Sequence, residues 1–139
     1  MIRTYKELRR LATFEERYDY LRLGGIVGRE TFGFDRYLNQ MLYKSEPWLS
    51  TRNNIIIRDN ACDLGIPEYD IRSGIMVHHI NPISIEDIEL GRDCLFDPDN
   101  LITTTLNTHN AIHYGDATLL FKLAIERTKG DTTLWKTAY

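Results

Sequence analysis

Ile75-Met76-Val77-His78-His79-Ile80-Asn81-Pro82 is the stretch that decides the fold, and Leu101-Ile102-Thr103-Thr104 follows it after a long connection. Both runs are rich in apolar and β-branched residues, and polar or turn-forming residues bound them, which is typical of short strands. The next residues, from about Thr105 to Tyr114, have helical spacing, and Gly115 is a stop signal. A structureless connection as long as the one between Ile80 and Asn100 is usually functional. The order strand, long loop, strand, helix predicts a ββα unit.

All four histidines of the chain lie in this unit. His109 and His113 are four residues apart in the predicted helix, so their rings project from the same face. His78 and His79 are neighbours in a strand and point to opposite faces, so they cannot do the same job. One of them can join the helical pair around a metal ion while the other acts as a base, a division that metal-assisted hydrolysis requires. The alternative is a chance cluster of core and surface histidines.

The first 58 residues are expected to be helical. The predicted signals are helical spacing from Tyr5 to Ala12, a Thr13–Glu16 capping box, a stop at Gly24-Gly25, a run after Gly33, and an N-cap at Ser45 with Pro47 in the first turn. Further on, Tyr69–Arg72 and Ile75–Ile80 are predicted to pair as a hairpin about Ser73-Gly74. A short helix is expected at Ser84–Leu90 and a last one from Asp116 to about Thr128.

Length and composition favour one α+β domain, mainly helical, over residues 1–139. Its expected parts are a helical N-terminal part (1–58), a ββα-metal core (68–114) with the N-terminal helices packed around it, and a C-terminal helix and tail (116–139). No apolar run approaches the roughly 18 residues of a membrane span. Cys62 and Cys94 could form one bridge, but reduced thiols in a cytoplasm are favoured.

Charge is distributed unevenly along the chain. The net charge is +4 for residues 1–58, −9 for residues 59–116 and +2 for residues 117–139. A polyanionic substrate would therefore need the basic flanks, a bound cation, or both in order to approach the histidines. The alternative is that the acidic residues lie on a solvated outer loop.

His78-His79-Ile80-Asn81-Pro82, then Asp99-Asn100-Leu101, then His109-x-x-x-His113 resemble the motif of the HNH, or ββα-metal, endonucleases. Upstream, Phe34-Asp35-Arg36-Tyr37-Leu38, Tyr43-x-Ser45-x-x-Trp48, Arg52 and Arg58-Asp59 extend the resemblance to HNH proteins of phages and prophages. Nearly the whole chain is covered. The resemblance implies a metal-dependent DNA endonuclease or nickase of the host cytoplasm, of a type linked with phage DNA packaging by the terminase.

The resemblance also implies roles for single residues. His79 corresponds to the general base, and Asn100 to the central asparagine that braces the loop and helps orient that base. His78, His109 and His113 correspond to metal ligands, the last as in the colicin-type nucleases. Three imidazoles favour Zn, Ni, Co or Cu on softness, whereas the family implies Mg or Mn as the working ion.

One departure from the family pattern concerns structural zinc. Many HNH proteins hold a zinc ion with two Cys-x-x-Cys pairs, but here Gly65 follows Cys62 at the second position, and Thr105 and Thr108 stand where the other pair would be. A four-cysteine site cannot form, so no structural zinc is expected and packing must hold the unit.

DNA is the expected partner, with the terminase large subunit as a second one implied by the resemblance; no membrane partner is expected. Arg58 and Arg72 are candidate phosphate contacts, and the protein is expected to be a monomer or a weak homodimer. Two other functions stay open: a toxin-type DNase of bacteria, and a non-catalytic scaffold of a packaging complex in which the metal is structural.

Overall fold

The computed structural model describes residues 2–23 and 36–122, and every structural statement below concerns these residues. Its helices are α1 (Tyr5–Leu8), α2 (Phe14–Leu21), α3 (Arg36–Tyr43), α4 (Glu46–Arg58), α5 (Ile85–Leu90) and α6 (Leu106–Tyr114), and its strands are β1 (Met76–His79) and β2 (Leu101–Thr104). Short 3-10 turns lie at Asp63–Gly65, Asp93–Leu95, Pro98–Asn100 and Ala117–Lys122. The mixture of helices and a two-stranded antiparallel sheet confirms the predicted α+β class.

The two strands form the expected strand–loop–strand–helix order, with β1 antiparallel to β2. The register places His78 opposite Ile102 and His79 opposite Leu101. Because side chains alternate across a strand, the two histidines leave the sheet on opposite faces. The sheet is therefore the element that separates them.

Each face of the sheet is covered by its own apolar cluster. On the His78 face, Ile80 and Ile102 pack with α1, α2 and α6 in a cluster whose buried residues are Leu8, Phe14, Tyr18, Leu21, Leu23, Leu64, Ile66, Ile80, Ile102, Ala111 and Ile112. On the His79 face, Val77 and Leu101 pack with Leu42, Trp48, Ile55 and Leu95, which come from α3, α4 and the connecting loop. The N-terminal helices thus supply the packing around the sheet.

Capping residues fix the helix starts that the sequence predicted. Thr13 and Glu16 form the expected capping box of α2, and the Ser45 side chain accepts a hydrogen bond from Trp48 N at the start of α4, which has Pro47 in its first turn. Thr105 caps α6, and Gly115 ends it in the left-handed conformation at φ 64° that residues with a Cβ rarely adopt. The short helix α5 begins after Ser84, also as predicted.

The predicted hairpin about Ser73-Gly74 is wrong. Residues 69–72 form no strand with β1; Asp70 instead makes a single bridge to Cys62, and Ile71 N donates to Ala61 O. Among the described residues β1 pairs only with β2, and residues 69–72 contact residues 61–63 and not the other edge of β1. A turn signal alone does not choose between two possible partners of a strand.

Two other expectations need adjustment. Helix α1 ends at Leu8 and does not reach Ala12, because Thr13 must be extended (φ −110°, ψ 157°) in order to cap α2. The last segment begins as a 3-10 turn at Ala117–Lys122 and not as an α-helix. The expected stop at Gly24-Gly25, the start after Gly33 and the chain beyond residue 122 lie outside the described residues.

Neither cysteine is bonded to another: Cys62 is buried and Cys94 is half-buried, and both are free thiols, as predicted. None of the described helices is long and apolar enough to span a membrane. Seven of the eleven acidic residues between positions 59 and 116 are exposed, and four of these lie on the connection between the two strands, as the outer-loop alternative predicts: Glu86, Glu89, Asp93 and Asp97.

Candidate metal centre

Three of the four histidines converge between β1 and α6. The ring centroids lie 5.2 Å apart for His78 and His109, 5.0 Å for His78 and His113, and 4.5 Å for His109 and His113. One nitrogen from each ring lies within 4.8 Å of the other two, an arrangement that could hold a metal ion. The helical spacing of His109 and His113 brings the last two together, and the pairing of β1 with β2 delivers His78.

His78 and His113 are buried and His109 is half-buried. Burial lowers the pKa of His78 well below its usual value, and the neighbouring His109, His113 and His79 lower it further. Burial, and then His113, lower the pKa of His109 to about 4. At neutral pH these two imidazoles are therefore unprotonated, which is the state that binds a metal.

The donor set fits a divalent transition metal. His78 Nε2 is buried, and among the described residues it has no hydrogen-bond partner, although a buried polar atom without a partner is costly. Tetrahedral coordination at about 2.0–2.1 Å places ligand nitrogens roughly 3.3 Å apart, so small ring movements would close the cluster on an ion. Three protein ligands leave a coordination position open, whereas structural zinc sites use four.

In the metal-free protein, we expect the free energy of unfolding to fall as the pH is lowered from 7 to 5, a range that lies above the pH at which carboxylates titrate. The pKa of His79 and of His109 is about 4 in the folded protein, and unfolded imidazoles protonate near pH 6.5. The unfolded state therefore binds more protons below pH 6.5, and stability falls as the pH falls. The expected loss is about 2 kcal/mol for each of these histidines between pH 7 and pH 5.

Urea unfolding in EDTA at pH 7, 6 and 5 measures this slope. In the variant His109→Gln, the loss of unfolding free energy between pH 7 and pH 5 should be smaller by the contribution of one imidazole. A parent protein whose stability is the same at all three pH values would contradict the depressed pKa values.

His79 lies on the other face of the sheet, away from the three-histidine cluster. Its ring stacks on Trp48 at a centroid distance of 5.2 Å, and Tyr43 packs against the same indole at 5.1 Å. His79 Nε2 lies 3.0 Å from Leu95 O. Because a carbonyl oxygen only accepts hydrogen bonds, Nε2 must carry the proton, which leaves Nδ1 with the free lone pair in the neutral ring. Burial lowers the pKa of this ring to about 4, so it is neutral at pH 7.

Asn100 connects the end of β1 to the turn that contacts His79. Its Oδ1 accepts hydrogen bonds from Asn81 N at 2.9 Å and from Asn81 Nδ2 at 2.8 Å, and its Nδ2 donates to Cys94 O at 3.0 Å. The next carbonyl along the chain, that of Leu95, is the one that faces His79. Asn100 therefore links the end of β1 to the turn at Cys94 and Leu95, and its role towards the base stays a prediction.

The two arginines expected at phosphate have different surroundings. Arg58 donates to Pro98 O and Leu101 O, both at 2.7 Å, pairs with Asp59, and stacks over the Tyr5 ring at 3.5 Å. These contacts give Arg58 a structural role and do not favour the phosphate assignment. Arg72 is exposed, and its assignment stays a prediction.

Sequence reasoning missed three contributors to the site. Trp48 belongs to the family resemblance, which predicts no contact with His79. Asn81 marks the end of a predicted strand, with no contact to Asn100 expected, and the Leu95 carbonyl has no side-chain signal at all. The Asn81-Pro82 pair directly after the two histidines was the one available hint.

The positions compared with zinc pairs lie around one carboxylate, that of Asp63. Asp63 accepts hydrogen bonds from the hydroxyls of Thr105 and Thr108, and it lies in sequence between Cys62 and Gly65.

Comparison with known proteins finds no matching family model, no matching curated protein and no matching solved structure. The resemblance to HNH endonucleases therefore rests on the motif residues and their spacing. The geometry of the four histidines is an independent basis for reasoning about function.

Proposed function

We propose that this protein is a metal-dependent DNA endonuclease or nickase built on an HNH-type ββα unit, and that it assists phage DNA packaging together with the terminase. The observation that carries the proposal is the division of the histidines. Three imidazoles face one another on one side of β1, and the fourth lies on the other side against Trp48 and Leu95 O. A purely structural metal site would need no separately oriented imidazole beside its ligands.

The composition of the cluster suits a phosphodiester substrate. The group that could hold an ion, His78, His109 and His113, contains no carboxylate. Neutral ligands leave the whole charge of a divalent cation available to the anionic phosphate. When bound, such an ion supplies Lewis-acid stabilisation of the phosphate and of the leaving 3′ oxygen. Mg or Mn is proposed as the working ion, with Zn, Ni or Co able to occupy the imidazole site.

His79 is proposed as the general base. Its Nε2–H faces Leu95 O, so Nδ1 is the nitrogen that accepts the proton of the attacking water, and the low pKa keeps that lone pair available near neutral pH. Asn100 acts on this base through the turn it holds. His79 is the last residue of β1, and the phosphate is proposed to bind at that end of the strand. Attack of water at phosphorus with departure of the 3′ oxygen leaves 5′-phosphate and 3′-hydroxyl ends.

A metal-bound scaffold is the competing function, and one observation favours it: His79 is only 7% exposed. A base must be reached by water and substrate, whereas a packing residue need not be. The two functions differ in whether DNA is cut when metal is present.

A supercoiled-plasmid assay with EDTA, Mg, Mn, Ni or Zn tests the proposal. We expect conversion to open circles or linear DNA with at least one of these metals and none in EDTA. The reason is that, in the proposed function, the ion stabilises the charge on the phosphate. A mock purification from cells that do not express the protein is the control for contaminating nucleases. The absence of metal-dependent nicking under every condition would exclude the endonuclease and favour the scaffold.

A further inference from the structure

The feature that carries a further inference is a buried carboxylate at the start of α6, the helix that bears two of the three clustered histidines. Asp63 is 6% exposed. Its Oδ1 accepts a hydrogen bond from Thr105 N at 3.2 Å, and its Oδ2 accepts from the hydroxyls of Thr105 at 3.2 Å and of Thr108 at 2.5 Å. One carboxylate therefore binds both the capping residue of α6 and the third residue of its first turn.

These contacts reach the histidines through the backbone of the helix. Thr105 O accepts the hydrogen bond of His109 N at 2.9 Å, and Thr108 directly precedes His109. His113 follows one turn later on the same face. The position of the first turn thus sets the position of both imidazoles relative to His78, which comes from the separate strand β1.

The segment that presents Asp63 is shaped for this contact at a conformational cost. Within residues 60–68, four residues other than glycine have positive φ: Asn60 (55°), Ala61 (54°), Leu64 (54°) and Glu68 (81°). Residues with a Cβ adopt this region rarely, and they keep it only where the surrounding structure requires it. Two contacts hold the segment in this conformation. The Leu64 carbonyl accepts a hydrogen bond from the buried Arg17 at 2.7 Å, and the Asp63 carboxylate binds the start of α6.

A second buried carboxylate of the same segment holds the preceding strand. Asp59 Oδ2 accepts from Thr103 N at 2.9 Å. The junction of β2 and α6 is therefore fastened on both sides to one segment, by Asp59 at Thr103 and by Asp63 at Thr105. The direction in which α6 leaves β2 is fixed by side-chain contacts and not by helix propensity.

We propose that Asp63 is a positioning residue of the metal centre, whose carboxylate anchors the first turn of α6 and so places His109 and His113 opposite His78. This inference rests on the metal site of the proposed function but not on DNA cleavage. Residues that orient metal ligands from outside the coordination sphere typically contribute about 10–100-fold to metal affinity. Asp63 acts in this way through the backbone of the helix and not through the imidazole rings.

Titration of the purified protein with Co²⁺, followed by its visible absorption, tests the proposal. Asp63→Ala and Thr108→Val should bind Co²⁺ about 10–100-fold more weakly than the parent and with an altered spectrum. Thr108→Ser keeps the hydroxyl and should restore both. Ser84→Ala removes a comparable helix cap from α5, which bears none of the clustered histidines, and should leave Co²⁺ affinity unchanged.

Hydrogen exchange in EDTA provides a second readout that needs no metal. The amides of Thr108 and His109 should exchange faster in Thr108→Val than in Thr108→Ser, because the anchor of the first turn is lost. If Asp63→Ala does not fold, the valine and serine variants decide the question.

Two outcomes would overturn the inference, and they are distinguishable. Parent-like Co²⁺ affinity and spectrum in both Asp63→Ala and Thr108→Val would remove Asp63 from the metal centre while leaving the site itself in place. A parent protein that binds no Co²⁺ would remove the metal site, and the proposed function would fail together with this inference.

Discussion

His79→Ala and His79→Asn are expected to lower the rate of DNA cleavage by about 10²–10⁴-fold, the usual contribution of a general base. Both variants lack the imidazole lone pair that would accept a proton from water. Asn is the more informative of the two, because it keeps a polar side chain and fills part of the space beside Trp48, although its amide ends near the place of Nδ1 and is too short to reach Leu95 O. Neither change touches the three-histidine cluster on the opposite face, so Co²⁺ affinity should stay near that of the parent. Single-turnover plasmid nicking and Co²⁺ titration measure the two properties separately.

The control for lost packing is Val77→Ala. Val77 lies on the same strand and the same face as His79 and is buried in the same apolar cluster, but it has no group that can accept a proton. The free energy of unfolding of Val77→Ala should fall by an amount comparable to that of His79→Ala. At a temperature where the variant is folded, its cleavage rate should remain close to that of the parent. Cleavage at the parent rate by His79→Asn would show that His79 is a packing residue.

Removal of His113 is expected to weaken metal binding more than about 100-fold, since loss of a direct ligand should exceed the 10–100-fold effect of an outer contact. His113→Ala removes one of the three imidazoles whose nitrogens lie within 4.8 Å of one another. Cleavage should fall with metal occupancy. The thermal stabilisation that excess Zn²⁺ gives the parent, about 4 kcal/mol at a thousand times the dissociation constant, should be largely lost at the same concentration.

Ile112→Val is the matched control for this change. Ile112 is buried in α6 next to His113 but packs into the apolar cluster, so its variant should be somewhat less stable and should bind metal as the parent does. A further readout is the metal-free pKa of His109, which burial and then His113 lower to about 4; it should rise in His113→Ala. An unchanged metal titration in this variant would remove His113 from the proposed ligands.

The local elements that sequence predicted correctly are those whose signals lie within a few residues. The Thr13–Glu16 box, the Ser45 cap with Pro47, and the Thr105 and Gly115 limits of α6 each depend on a backbone group close to the side chain that satisfies it. The pairing of His109 with His113 likewise follows from the pitch of one helix. Such short-range rules do not depend on where the rest of the chain goes.

Sequence signals were insufficient where tertiary contacts decide what a segment binds. Ser73-Gly74 is a sound turn signal, yet residues 69–72 contact residues 61–63, and β1 pairs with β2. The sequence made Arg58 a candidate phosphate contact, and the structure shows that it binds the carbonyls of Pro98 and Leu101 and the ring of Tyr5. Contacts over 40 residues or more leave no periodicity in the sequence.

The sequence by itself determined that the four histidines would split between a strand and a helix, because alternation along a strand and the repeat of a helix are properties of the backbone. Alternation alone left open which histidine of the strand pair joins the helix, and the family resemblance implied His78. The tertiary structure decided it, because it depends on which face of the sheet α6 covers. It also placed His79 between Trp48 and Leu95 O and fastened α6 through Asp63. These last assignments result from packing and hydrogen bonding between segments far apart in the chain, and they are what gives chemically alike histidines different surroundings.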